Sequence, residues 1–269
     1  MANVEITGLY IYPVKSCAGI RVQELKFDHQ GPVGDRRYMV VSPDGRFLTQ
    51  RQLPVMAHIE CKLLESGLEL SFSGTDFCCV SVAEVQTAAV RLVVSVWDDE
   101  MEALDCGDDV AAFLSGVLGR EARLVYMPES THRQVDASRA MEGEWVGFAD
   151  GFPLLLCAEE SLQSLSEEAG LEVDMLRFRP NVVVRGGQPF EELSWTVLSS
   201  ASGQMQLLKP CTRCVIPTRD IDTQQKQPDV VAALKKLCVH DKQILFGQNA
   251  VVSGLDSLRV GDCFESSGD

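Results

Sequence analysis

Lys209-Pro210-Cys211-Thr212-Arg213-Cys214-Val215-Ile216-Pro217-Thr218 holds two thiols with an arginine between them, placed just before an extended segment. Val215 and Ile216 favour strand and Pro217 breaks a helix, so these cysteines do not open a helix whose dipole would lower a thiol pKa. A dithiol redox motif is disfavoured on that ground. A structural zinc site needs a second ligand pair at regular spacing, and Cys238 with His240 supplies only an irregular one. Two readings stay open on the residues alone: a buried structural pair, or a reactive or metal-ligating thiolate with a structural companion.

Outward from this stretch, period-2 alternation and β-branched runs dominate over helical periodicity. They predict strands at residues 6–14, 37–42, 46–50, 59–73, 77–82, 90–97, 123–126, 181–184, 205–208, 244–252 and 258–264. Pro43-Asp44-Gly45 reads as the turn of a hairpin. Helices are expected only at 108–118, before Gly119, at 159–169, before Gly170, and at 230–238, after Pro228-Asp229. The polar connector 129–144 suggests a boundary nearby. The expected fold class is mainly β, built from β-barrels with a few peripheral helices, in two parts at 1–125 and 126–269.

With 269 residues, 45% of them apolar, the chain can bury a substantial core. Its start lacks the basic and apolar run of a signal peptide, and no apolar stretch approaches the roughly 20 residues of a membrane span. A cytoplasmic protein without membrane attachment is the expectation. Ten cysteines scattered through apolar segments read as reduced rather than as a secreted disulfide framework. The formal charge of −15 argues against nucleic-acid binding. Against that field, basic residues gather at Lys15, Arg36-Arg37, Arg177, Arg179 and Arg213. If these segments meet in space, they form an anion pocket.

Dinucleotide and P-loop glycine motifs, His-Glu-x-x-His and the Gly-x-Ser-x-Gly elbow are all missing. Histidines 29, 58, 132 and 240 are too dispersed to support a histidine metal site or triad. Four other motifs stand in order along nearly the whole chain. They are Tyr12-Pro13-Val14-Lys15-Ser16-Cys17, Gly34-Asp35-Arg36-Arg37-Tyr38, Phe178-Arg179-Pro180-Asn181 and Cys211-x-x-Cys214. Together they resemble the MOSC family, in the arrangement of an N-terminal MOSC β-barrel segment followed by the MOSC domain. Within the family, the order is similar to that of the mitochondrial amidoxime-reducing component and its bacterial relatives.

The resemblance implies a molybdenum-pterin cofactor whose metal is held by Cys214, with Cys211 as a companion. It also implies that Lys15, Ser16, Arg36, Arg179 and Asn181 contact the cofactor, with Arg213 as a further contact. These side-chain types suit an anionic, phosphate-bearing group. The implied reaction is reduction of a small N-hydroxylated substrate. Electrons would come from a separate donor protein of flavin or iron–sulfur type, since no ferredoxin-like segment follows residues 260–265. The alternative is a non-catalytic carrier of the cofactor or of sulfur that uses Cys214.

Overall fold

The alternation near the N-terminus forms the strand Asn3–Ile11, which buries Val4, Ile6, Leu9 and Ile11 and ends before Pro13, a residue with no amide to donate. Residues 2–74, 76–88 and 90–268 are described by the structure, a computed structural model. Asn3–Ile11 lies in a seven-stranded barrel, between Val182–Arg185 and Cys263–Gly268. Trp195–Ser200, Gly203–Thr212 and Gln243–Ser253 continue the sheet, and Gln243–Ser253 pairs back onto Leu154–Ala158 to close it. Leu154–Ala158 runs parallel to Val182–Arg185, and the helix Glu159–Ala169 carries the crossover between them. Ile6, Leu156, Val184, Leu198, Met205 and Ala250 fill the interior. The barrel therefore draws its first strand from the beginning of the chain and the rest from beyond residue 150.

The second part is a half-barrel with strand order Tyr38–Val41, Arg123–Tyr126, Asp99–Asp105, Arg91–Val96. A meander of Glu60–Leu64, Gly67–Phe72 and Asp76–Ser81 adjoins it. Leu68, Leu70, Leu124 and the apolar face of the helix Asp108–Leu118 form a separate core there. The mainly β class and the barrel architecture expected from the sequence are both present. No helix among the described residues is long and apolar enough to cross a membrane.

Several elements differ from their sequence-based expectation, each for a physical reason. Residues 46–50 form no strand: Phe47 makes one isolated bridge to Val41, and Gln50 donates to the Ser16 carbonyl at 2.8 Å instead of joining a ladder. Residues 59–73 break into two strands around Glu65 and Ser66, and 258–264 breaks at Gly261, whose φ of 95° suits glycine. Leu154–Ala158 was hidden because a strand buried on both faces shows no alternation. The helix Val82–Ala88 and the acidic strand Asp99–Asp105 also carry little periodic signal.

Candidate functional site

After the first barrel strand, residues 12–17 turn against residues 35–38. The Lys15 amide donates to the Tyr38 carbonyl at 2.9 Å, and the Arg36 amide donates to the Tyr12 carbonyl at 2.8 Å. Lys15 Nζ is buried and donates to the Phe148 carbonyl at 2.7 Å and to Asp150 Oδ1 at 2.6 Å. Burial pushes the Lys15 pKa below the usual lysine range, with Asp150 opposing. Asp150 sits on a concave wall with its side chain open to the cleft. Crowding by protein works against its charge, yet the Lys15 ammonium holds its carboxyl well below the usual carboxylate range. Gly147 makes this approach possible: a Cβ there would lie 2.8 Å from the Arg36 carbonyl oxygen, which accepts from the Phe148 amide.

Arg36 and Arg179 both lie against the ring of Tyr12, with guanidinium carbons 4.3 and 4.2 Å from its centroid. Arg36 donates to Asp35 Oδ2 at 2.6 Å, to Asn181 Oδ1 at 2.9 Å and to the Arg179 carbonyl at 3.2 Å. Arg179 donates from Nη1 to the Cys17 carbonyl at 2.7 Å, while its Nη2 is buried without a partner. Asn181 is buried between strands and spends its side chain on Arg36, the Leu155 amide and the Tyr10 carbonyl. It orders the site from beneath rather than offering a free edge to it.

The cysteine pair lies at the end of the long strand Gly203–Thr212. Cys214 is exposed, whereas Cys211 is partly covered. Between them, Arg213 turns inward and donates to Cys211 Sγ at 3.0 Å and to the Phe178 carbonyl at 2.7 Å. Phe178 stacks on Phe246 at 3.9 Å between centroids, which fixes the floor beneath the guanidinium. Cys238 is buried in the core of this region, and no group of three or more His, Cys, Asp or Glu converges as a metal site among the described residues. The irregular set of Cys211, Cys214, Cys238 and His240 is not assembled.

These segments border one cleft of about 400 Å³. Lys15, Ser16, Arg36, Arg179, Asn181, Arg213 and Cys214, picked out from four distant motifs, all line it. Arg37 and Arg177 do not line it, and are engaged by Asp28 and Asp220. Thr49, Arg51, Trp97 and Asp150 also line the cleft and were not picked out. Arg51 had a signal, as another cation in an acidic chain; Asp150 had none. Ser16, Arg36, Trp97 and Arg179 all adopt positive φ, 46° to 69°, a conformation that costs side-chain-bearing residues energy and clusters at functional sites. Thr49 Oγ1, Arg179 Nη2 and Arg213 Nε are buried and unpartnered. A cleft with five cationic side chains, orphaned donors and an exposed thiol fits an anionic group that also presents a soft metal.

The chain is similar to known proteins along nearly its whole length. The profile of the MOSC N-terminal beta barrel domain matches residues 3–121, and that of the MOSC domain matches residues 143–265. Mitochondrial amidoxime reducing component 2 of Rattus norvegicus is 30% identical over 276 residues, spanning 96% of this chain and 81% of the relative. This chain belongs to the MOSC family. Among other MOSC relatives, mitochondrial amidoxime-reducing component 1 of Mus musculus is 29% identical, across 96% of this chain and 80% of its own length. Molybdenum cofactor sulfurase of Drosophila grimshawi is 31% identical across 87% of this chain, which matches 30% of that longer protein.

Proposed function

We propose that this MOSC protein binds a molybdenum-pterin cofactor in the cleft and reduces small N-hydroxylated compounds, with electrons from a separate flavin or iron–sulfur protein. The reading rests above all on the convergence of Lys15, Ser16, Arg36, Arg179, Arg213 and Cys214 on one concave surface. Its chemistry is taken from the amidoxime-reducing relatives. A division of labour between 1–125 and 126–269 goes with it, the first part contributing Lys15, Ser16 and Arg36 and the second Arg179, Asn181, Arg213 and Cys214. Neither nucleic acid nor a membrane is needed as a partner, and we place the activity in the cytoplasm.

When bound, the cofactor supplies a redox-active metal that takes up and returns two electrons. The Cys214 thiolate is the protein's ligand for it, since its Sγ is exposed while Cys211 Sγ accepts from Arg213. Arg179 and Arg213 offer guanidinium donors to the anionic part of the group, and Ser16 offers its hydroxyl. Arg36, tied to Asp35 and Asn181, supplies fixed positive charge. Lys15 stays beside Asp150 at the rim. In the overall reaction the substrate N–O bond breaks, two electrons and two protons enter, and the amine or amidine leaves together with water.

A second reading takes support from the molybdenum cofactor sulfurase relative and from the exposure of Cys214: the thiol carries sulfur or hands over the cofactor without turnover. One set of measurements separates the two. Molybdenum and zinc per chain are determined for wild type and Cys214→Ala from a host that makes the pterin. The same proteins are then given a reduced viologen dye and an amidoxime. Molybdenum and amidoxime reduction present in wild type and lost in Cys214→Ala support the reductase. Cyanide-labile sulfur on Cys214 without turnover supports the carrier, and zinc alone overturns both.

A further inference from the structure

Trp97 stands out in the cleft because neither its backbone nor its exposure is explained by packing. It opens the two-residue turn Trp97-Asp98 between paired Val96 and Asp99. Its φ is 56°, whereas Asp98 is not among the positive-φ residues. In a hairpin turn of that pattern the first position is ordinarily glycine. A bulky aromatic residue there is strained, and no core burial compensates, because 47% of Trp97 remains exposed. The indole is nonetheless held firmly. Its Nε1–H donates to Asp150 Oδ1 at 3.2 Å, Phe47 meets it edge-on with centroids 5.2 Å apart, and the Arg51 guanidinium lies 4.5 Å from its centroid. Arg51 makes no ion pair among the described residues, so its charge is committed to the indole face and the cleft.

Uncharged and with its only N–H already donated, Trp97 is poorly suited to hold an anionic cofactor. What it offers the cleft is a rigid aromatic surface on the wall that also carries Asp150, whose Oδ2 accepts no hydrogen bond among the described residues. We propose that Trp97 is a stacking platform that makes this site select planar, ring-bearing N-hydroxylated compounds over open-chain ones; this rests on the reductase reading above. A ring laid on the indole gains aromatic contact at little entropic cost, because the platform is already ordered. An open-chain compound with the same N–OH group gains none of it.

Benzamidoxime and acetamidoxime share the reacting group and differ in the ring, so they isolate this term. The test uses cofactor-loaded wild type, Trp97→Gly and Trp97→Phe. Glycine suits the left-handed turn, so the fold is retained. Trp97→Gly is expected to raise KM for benzamidoxime about five-fold or more relative to any change in the acetamidoxime KM. Trp97→Phe is expected to recover much of the loss. Independently of turnover, benzamidoxime should quench the indole emission of wild type saturably, and this quenching should vanish in Trp97→Phe. An equal effect on both amidoximes, or loss of molybdenum with the side chain, overturns the proposal. If wild type reduces neither compound, the reductase reading falls and the titration decides the platform alone. Saturable quenching by benzamidoxime only, lost in Trp97→Phe, sustains it, and its absence overturns it.

Discussion

Asn181 Oδ1 accepts from Arg36 Nη1 at 2.9 Å and from the Leu155 amide at 3.2 Å, so one buried amide couples a cleft cation to a barrel strand. Its Nδ2 donates to the Tyr10 carbonyl at 3.1 Å on the strand Asn3–Ile11. The side chain thus ties together the start of the chain, the barrel and the site. Asn181→Ala leaves the Leu155 amide and the Tyr10 carbonyl without their side-chain partner in a buried place. It is expected to cost about 1–3 kcal/mol in urea denaturation. Molybdenum retention should fall with it, because Arg36 loses one of its restraints.

The residue types at this junction were legible in the sequence, because each basic residue opposed the chain's acidic field inside a recognisable local motif. Their division into roles was not. Asn181 reads as the polar first residue of the expected strand 181–184, and only the pairing of Val182–Arg185 with both Asn3–Ile11 and Leu154–Ala158 shows that its amide faces inward. The strand Leu154–Ala158 was illegible for a related reason, since residues buried on two faces lose the alternation that marks a half-buried strand. Trp97 and Asp150 were missed because their meaning lies in a long-range contact, Nε1 to Oδ1, across 53 positions of sequence.

Arg179 combines a φ of 57° with a guanidinium against Tyr12 and one unpartnered buried nitrogen. If that conformation is maintained for the site, removing the side chain should weaken cofactor retention. The backbone strain should then appear in a comparison of two truncations. Arg179→Gly is expected to be about 1 kcal/mol more stable than Arg179→Ala, because glycine occupies this region without a Cβ penalty. Both should retain less molybdenum than wild type. Thermal melts and metal analysis on the two variants check the pair of outcomes together.

Glu192 is fully buried; its Oε2 accepts from Ser161 Oγ at 2.7 Å, and its Oε1 has no partner. Burial pushes its pKa from the ordinary glutamate value of 4.5 up to about 7, with the Ser161 hydrogen bond opposing. Because the folded value exceeds the unfolded one, the stabilising contribution is complete below about pH 4.5 and is lost as pH rises through 7. Glu192→Gln keeps an acceptor for Ser161 but carries no charge. It is expected to match wild type near pH 4.5 and to exceed it by roughly 3 kcal/mol at pH 8, read from urea midpoints across that range.

Phe246 reaches the site through one intervening ring. It is fully buried, stacks on Phe178 at 3.9 Å, and meets Phe190 edge-on at 6.3 Å. Phe178 in turn lies 5.3 Å from the Arg213 guanidinium and accepts from it through its carbonyl. A truncation at 246 should therefore act twice, first on the core and then on the cation beside Cys214. Phe246→Ala is expected to cost about 3–5 kcal/mol through the cavity it leaves. Phe246→Leu keeps most of the volume and should cost about 1 kcal/mol, the value of an aromatic pair. In Phe246→Leu the protein stays folded while Phe178 loses its stacking partner, so molybdenum per chain should drop more than that small loss of stability accounts for. Full molybdenum in folded Phe246→Leu would show that Arg213 is positioned by its own hydrogen bonds and not by the aromatic floor.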